Sequence, residues 1–192
     1  MHAWNAATGR YAPAAFNDSG LGNARFSPLV NPATGATIAT LYAAADPRGA
    51  VAEIVLHDVP TPSTGYLHDL QRDLAGELHL SRLTLPTLQL ANLTSPGLKA
   101  AGLLPHDLFA SDQPDYPRTR AWALWIWQQL PEAQGLTWMS RRDNRCQVLM
   151  LFGDRVPAAA LGDGGESRPI AACEDLIVEL LAEMGAGIIP GL

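Results

Sequence analysis

Thr37-Ile38-Ala39-Thr40-Leu41-Tyr42-Ala43-Ala44-Ala45-Asp46-Pro47-Arg48-Gly49-Ala50-Val51-Ala52-Glu53-Ile54-Val55-Leu56-His57 is the stretch whose reading decides the fold class. Residues 37–42 alternate and carry β-branched side chains, which predicts a strand. Asp46-Pro47 then supplies a helix cap followed by proline at the first helical position. The helix it opens runs to about His57. At about 100° per residue Ala50, Val51, Ile54 and Val55 share one apolar face. Gly49, Glu53 and His57, each four apart, form a neighbouring ridge, so Glu53 borders the core without belonging to it.

The chain on either side does not continue this as a strand-helix-strand repeat. Pro60, Pro62 and Gly65 break it. A short helix is expected over 67–74, and alternating runs at 77–85 and 87–93 predict strands on either side of Pro86. Ser95-Pro96 repeats the cap-plus-proline signal for a short helix ending near Gly102. A helix over 117–130, closed by Pro131, is apolar around most of its circumference and is expected to be well buried. Residues 136–141 and 147–152 predict paired strands, Gly162-Asp163-Gly164-Gly165 a flexible loop, and 171–184 a helix ending by about residue 186. Before the deciding stretch, residues 1–36 read as mostly irregular, with one short strand near 24–27. Short strands mixed irregularly with helices predict an α+β fold.

The 192 residues fit a single domain spanning 1–192, and 47% apolar with 17% charged residues supports a packed core. The longest uninterrupted apolar stretch, 121–127, is far shorter than the about 20 residues a membrane-spanning helix needs. Met1-His2-Ala3-Trp4-Asn5 lacks the basic start and apolar run of a secretion signal, so a cytoplasmic protein is expected. Cys146 and Cys173 then read as plain buried thiols. A net charge of −6 opposes direct binding to nucleic acid. Twelve of the 13 basic residues are arginines, suited to bidentate capture of phosphate or carboxylate, although a coding bias explains the ratio equally well.

No phosphate-binding P-loop, GxGxxG turn or GxSxG elbow occurs. The five histidines show no metal-ligand spacing, so no metal is expected. What remains is a series of polar residues in fixed order: Gly9-Arg10-Tyr11, Gly22-Asn23-Ala24-Arg25-Phe26-Ser27-Pro28, Thr40-Leu41-Tyr42-Ala43, the run from Ala50 to Pro60 around Glu53, and Gly135-Leu136-Thr137-Trp138-Met139-Ser140-Arg141. This series resembles the RES domain family, named for an arginine, a glutamate and a serine in that order. The resemblance covers about residues 10–155 and includes Gln113-Pro114-Asp115-Tyr116-Pro117-Arg118-Thr119 and Leu151-Phe152-Gly153-Asp154-Arg155.

The resemblance implies an ADP-ribosyltransferase-like fold, with a mixed, twisted sheet flanked by helices, and a toxin of a toxin–antitoxin pair. It implies NAD as substrate, inorganic phosphate as co-substrate, no prosthetic group, and an antitoxin partner with a helix-turn-helix DNA-binding part. A homo-oligomer is compatible with this. The name-giving positions fall on Arg25, Glu53 and Ser140, and Arg10, Tyr11 and Tyr42 match further positions of the NAD pocket. Where many members carry Gly-Arg-Trp-Asn, this chain has Ala24-Arg25-Phe26-Ser27, which keeps the arginine and an aromatic neighbour but not the asparagine.

The residue types suit that chemistry. A carboxylate, Glu53, stabilises the oxocarbenium-like sugar formed as the nicotinamide–ribose bond breaks. Arg10 and Arg25 suit a diphosphate, and Tyr11 and Tyr42 suit stacking on a cationic pyridinium. Ser140 suits a hydrogen bond to ribose or phosphate and shows no neighbouring base in the sequence. Trp138, two positions before Ser140, shares its strand face. Transfer to a protein acceptor, hydrolysis of NAD, and a silent nucleotide- or partner-binding domain are the alternatives.

Overall fold

The computed structural model describes residues 12–104, 108 and 115–190, and the backbone of a two-residue strand, His2–Ala3 (β1). The fold is α+β, as expected. Its central sheet has the order β4-β9-β8-β7, formed by Thr40–Ala44 (β4), Leu90–Asn92 (β7), Gly135–Met139 (β8) and Gln147–Phe152 (β9). β4, β9 and β8 run antiparallel and β7 pairs parallel with β8, so the sheet is mixed.

Period-two alternation assigns its faces. Tyr42, Leu136, Trp138, Val148, Met150 and Phe152 face one core, which is closed by Ala123 and Ile126 of helix Tyr116–Gln129. Leu41, Leu149 and Leu151 face a second core on the opposite side. A second, antiparallel sheet has the order β1-β6-β10, where β6 is Leu78–Thr84 and β10 is Gly162–Pro169. Helix Pro47–Ile54 (α1) inserts Val51 into a third core, shared with Leu80 of β6 and with Ile177, Leu180 and Leu181 of helix Glu174–Glu183. Asp46 caps α1 by accepting from the Gly49 N–H at 2.8 Å, with Pro47 in the first turn.

Several expectations are corrected. The strand expected over 37–42 is split: Thr37–Ile38 (β3) pairs with Leu29–Val30 (β2), and β4 begins two residues later in another sheet. The strand near 24–27 is a tight turn closed by Ala24 N–H donating to Ser27 O at 3.1 Å. Over 67–74 the chain is a strand, Leu67–His68 (β5), and then a helix, Leu70–Leu74 (α2); β5 pairs parallel with Gly187–Ile188 (β11). The short helix after it is Ser95–Ala100 (α3), capped at Thr94, one residue earlier than predicted.

The glycine run at 162–165 is not a loop. It opens β10, whose register against β6 breaks between Asp163 and Ser167, with Gly165 at φ +73°. A side chain on Gly164 would meet Arg82 Cγ at 2.6 Å. Glycines that signal a flexible loop equally allow a bulged strand to pass close to a neighbour.

Tyr116–Gln129 (α4) is also less buried than its composition suggests. Tyr116, Thr119, Ala123 and Ile126 face inward, while Trp125 is 51% exposed and stands edge-on to Trp122 at 5.8 Å. Apolar residues all round a helix cannot all face one core when only one side of the helix is covered. The C-terminal helix is Glu174–Glu183 (α5), preceded by one 3₁₀ turn, Ile170–Cys173. No helix of the described residues is long and apolar enough to cross a membrane.

Candidate functional site

The ridge of Gly49, Glu53 and His57 faces a cleft, and its first residue sets how near α1 comes to the central sheet. A Cβ on Gly49 would lie 2.8 Å from Cys146 Cβ, so a glycine is needed for α1 to pack this closely on the turn joining β8 to β9. One helical turn on, Glu53 reaches Ser140, the residue that follows β8. Ser140 Oγ donates to Glu53 Oε1 at 2.6 Å, and the Arg141 backbone N–H donates to the same oxygen at 3.2 Å. Ser140 Oγ in turn accepts from the backbone N–H groups of Arg142 and Asp143, at 3.1 and 3.0 Å.

A hydroxyl offers one donor and two acceptor positions, so the buried Ser140 is saturated within the protein. It links the turn to the carboxylate and orients it. The expectation of no neighbouring base is corrected: a carboxylate lies directly against this serine. The sequence hid it because the two residues are 87 positions apart.

Arg25 sits on the 24–27 turn, which is held from three directions. Phe26 is fully buried edge-on to Trp138, with centroids 4.9 Å apart. The Phe26 N–H donates to Tyr42 Oη at 3.2 Å. From α4, Thr119 Oγ1 donates to Arg25 O, and Arg120 Nε donates to Ala24 O at 3.2 Å. The Arg25 guanidinium donates to Leu108 O at 3.3 Å and lies over the Tyr116 ring at 5.5 Å. Burial lowers its pKa, while Tyr116 and the Glu53 carboxylate favour its charge. Burial likewise pushes the Tyr42 phenol up to about 12, so it is neutral near pH 7. Its hydroxyl is engaged by the turn, and its ring stands edge-on to Trp138 at 6.2 Å.

Arg25, Tyr42, Glu53, His57, Trp138 and Arg141 all line one cleft of about 1950 Å³. That is roughly twice the upper end of the usual range for a small-molecule site, about 1,000 Å³. Among the described residues five arginines and four carboxylates line it. Arg10 and Tyr11 lie outside the described residues, as do Gln113 and Pro114. Among the described residues no group of three or more His, Cys, Asp or Glu could hold a metal ion.

Behind the Ser140 turn lies an ion-pair network that sequence reasoning missed. Arg145 donates to both Asp143 carboxylate oxygens at 2.7 Å and to Glu183 Oε2 at 2.6 Å. Arg48 joins Glu179 at 2.8 Å and Glu183 at 2.6 Å. The network fastens the turn to α1 and α5. Its members are scattered from Arg48 to Glu183, with no local spacing to reveal them.

Hydrogen bonds from Arg145 hold the buried Asp143 carboxyl below its ordinary range. A depressed folded pKa contributes stability that is complete above the unfolded value, about 3.9, and is lost as pH falls through the folded one. Urea unfolding between about pH 5 and pH 2 is therefore expected to show a falling midpoint, and Asp143→Asn a shallower fall. Equal slopes in the two proteins would remove Asp143 from this role. Cys146 and Cys173 are buried free thiols, as expected, and burial pushes Cys146 up to about 12, which leaves it unreactive.

A family model described as the RES domain matches residues 2–169. The chain belongs to the RES domain family. The match extends past the resemblance read over residues 10–155 into β10. In this RES domain the arginine and glutamate that mark the resemblance, Arg25 and Glu53, line one cleft, and Ser140 is hydrogen-bonded to Glu53 at its edge. No curated protein and no solved structure matches the chain.

Proposed function

We propose that this RES domain degrades NAD, cleaving the nicotinamide–ribose bond and passing the ADP-ribosyl group to inorganic phosphate. The observation that carries this reading is the Glu53 carboxylate, held by Ser140 Oγ and the Arg141 N–H inside a cleft that also presents Arg25. A fixed carboxylate beside the sugar stabilises the positive charge that develops as the bond breaks, and no reorganisation is needed at that moment. In this reading Arg25, which donates to Leu108 O and lies over the Tyr116 ring, supplies positive charge to the diphosphate. Tyr42, on the cleft wall, offers aromatic surface to the pyridinium.

An ADP-ribosyltransferase-like fold, a toxin's role in the cytoplasm, and an antitoxin with a helix-turn-helix part that covers the cleft belong to the same reading. The acidic chain leaves contact with DNA to that partner.

Incubation of the purified protein with NAD, with and without phosphate, tests it. Free nicotinamide and ADP-ribose 1″-phosphate, formed only when phosphate is present, are expected. Nicotinamide released equally without phosphate points to hydrolysis, labelled protein to transfer onto a side chain, and no nicotinamide at all overturns the reading. Arg25→Ala is expected to weaken NAD binding about tenfold or more, the scale of a lost charge-assisted hydrogen bond, with the fold intact. Calorimetric titration beside a thermal melt checks this, and an unaltered affinity would mean that the guanidinium serves only α4.

A further inference from the structure

β4 lies at one end of the central sheet, so only one of its sides is paired within it. On the β9 side, Ala45 N–H donates to Gln147 O and Gly153 N–H to Ala39 O, both at 2.8 Å. On the other side, Thr40 exchanges both of its backbone bonds with Asn17, at 3.1 and 2.8 Å. Backbone groups alternate in direction along a strand, so the N–H and C=O of Tyr42 and Ala44 leave on the Asn17 side, away from β9. Among the described residues no backbone group bonds them there. Every residue from Thr40 to Ala45 lines the cleft, although successive side chains leave opposite faces, so the open edge itself borders the cleft.

This edge lacks the devices that keep a sheet edge unpaired. β10, an outer strand of the second sheet, has a break in register, carries Asp163, Glu166 and Arg168, and ends at Pro169. β7, at the far end of the central sheet, is only three residues long. Thr40-Leu41-Tyr42-Ala43-Ala44 holds no charge and no proline, and its register against β9 is unbroken. Such an edge is a template for a further strand.

We propose that the open edge of β4 binds an extended peptide of a partner protein, which adds a strand to the central sheet inside the cleft and carries apolar and acidic side chains in alternation. The proposal does not rest on the NAD-cleaving reading, because the groups it uses are main-chain. A peptide in extended form offers a donor and an acceptor at every second residue, about 6.8 Å apart, which is the repeat from Tyr42 to Ala44. A single small amide meets only one of these two residues. The alternation follows from the two faces of β4. On the face of Leu41 and Ala43, the apolar side chains of Phe16, Leu83 and Leu85 also line the cleft. On the face of Tyr42, Arg25 and Arg120 act electrostatically on the phenol, so acidic side chains complement this side.

A short peptide of alternating valine and glutamate, blocked at both ends and labelled with a fluorophore, is the probe. Titrated into the full chain without NAD, it is expected to bind saturably and to slow hydrogen exchange at the Tyr42 and Ala44 amides at least about tenfold. Methylating one alternate set of peptide nitrogens is expected to weaken binding at least about tenfold, the scale of a lost main-chain hydrogen bond, while methylating the other set changes it little. Lysine in place of glutamate is expected to weaken it as well. Ala44→Pro removes a cleft-facing N–H and no bond to β9, and should weaken the peptide to the same degree in a protein whose melting curve shows it folded. Absence of saturable binding, equal loss from both methylated sets, or unchanged exchange at the two amides overturns the proposal. Protection of those amides by NAD and not by the peptide assigns the edge to the dinucleotide and also overturns it. Peptide binding in a protein that releases no nicotinamide supports the edge site and removes only the reaction.

Discussion

Glu53→Gln is expected to lower the rate of nicotinamide release at least about 100-fold, the scale of removing a preorganised group that stabilises a charged transition state. The substitution keeps the shape of the side chain, and its amide oxygen can still accept from Ser140 Oγ and the Arg141 N–H, so the turn survives. Only the negative charge is lost. NAD affinity should change little, because the carboxylate acts on charge that develops at the sugar after binding. Single-turnover release of nicotinamide at saturating NAD, compared with equilibrium binding, separates these effects. A variant within a few-fold of wild type would remove Glu53 from the chemistry and leave it as an anchor for the 140–143 turn.

Phe26→Ala is expected to cost about 3–5 kcal/mol of stability, the usual range for emptying a fully buried aromatic site. Folded domains have only about 5–15 kcal/mol in hand, so this variant stands near the threshold of unfolding. The ring is fully buried against Trp138, and the backbone N–H of the same residue donates to Tyr42 Oη. Loss of the ring therefore loosens the turn that presents Arg25, and affinity for NAD should fall together with the melting temperature. Urea unfolding reads the first effect and calorimetric titration the second. A stability loss under about 1 kcal/mol would show that neighbouring groups collapse into the space and that the turn is held by α4 and Tyr42 alone.

Much of this arrangement was legible in local patterns, because it rests on local physics. The Asp46-Pro47 cap and the period of α1 located the helix and set Glu53 one turn after Gly49, since a helix face follows from spacing alone, although the helix ends at Ile54, short of the expected His57. Alternation found β8 and β9 to within a residue or two. The same local rules misread Gly162 to Gly165 as a loop and the tryptophan-rich α4 as buried. In both cases the outcome depended on a neighbour distant in sequence: β6 beside the glycines, and the absence of any described element over Trp125.

By itself the amino-acid sequence determined the α+β class, the position of α1 and the order of the arginine, glutamate and serine, since propensity, capping and periodicity act within a few residues. Only the tertiary structure decided that Ser140 is spent on orienting Glu53, that Arg145, Asp143, Arg48 and Glu183 brace the turn from behind, and that the outer edge of β4 borders the cleft. Hydrogen bonds and ion pairs act over about 3 Å, and the partners here are brought within that distance by packing of α1 and α5 on the β8–β9 turn across as many as 135 positions of chain.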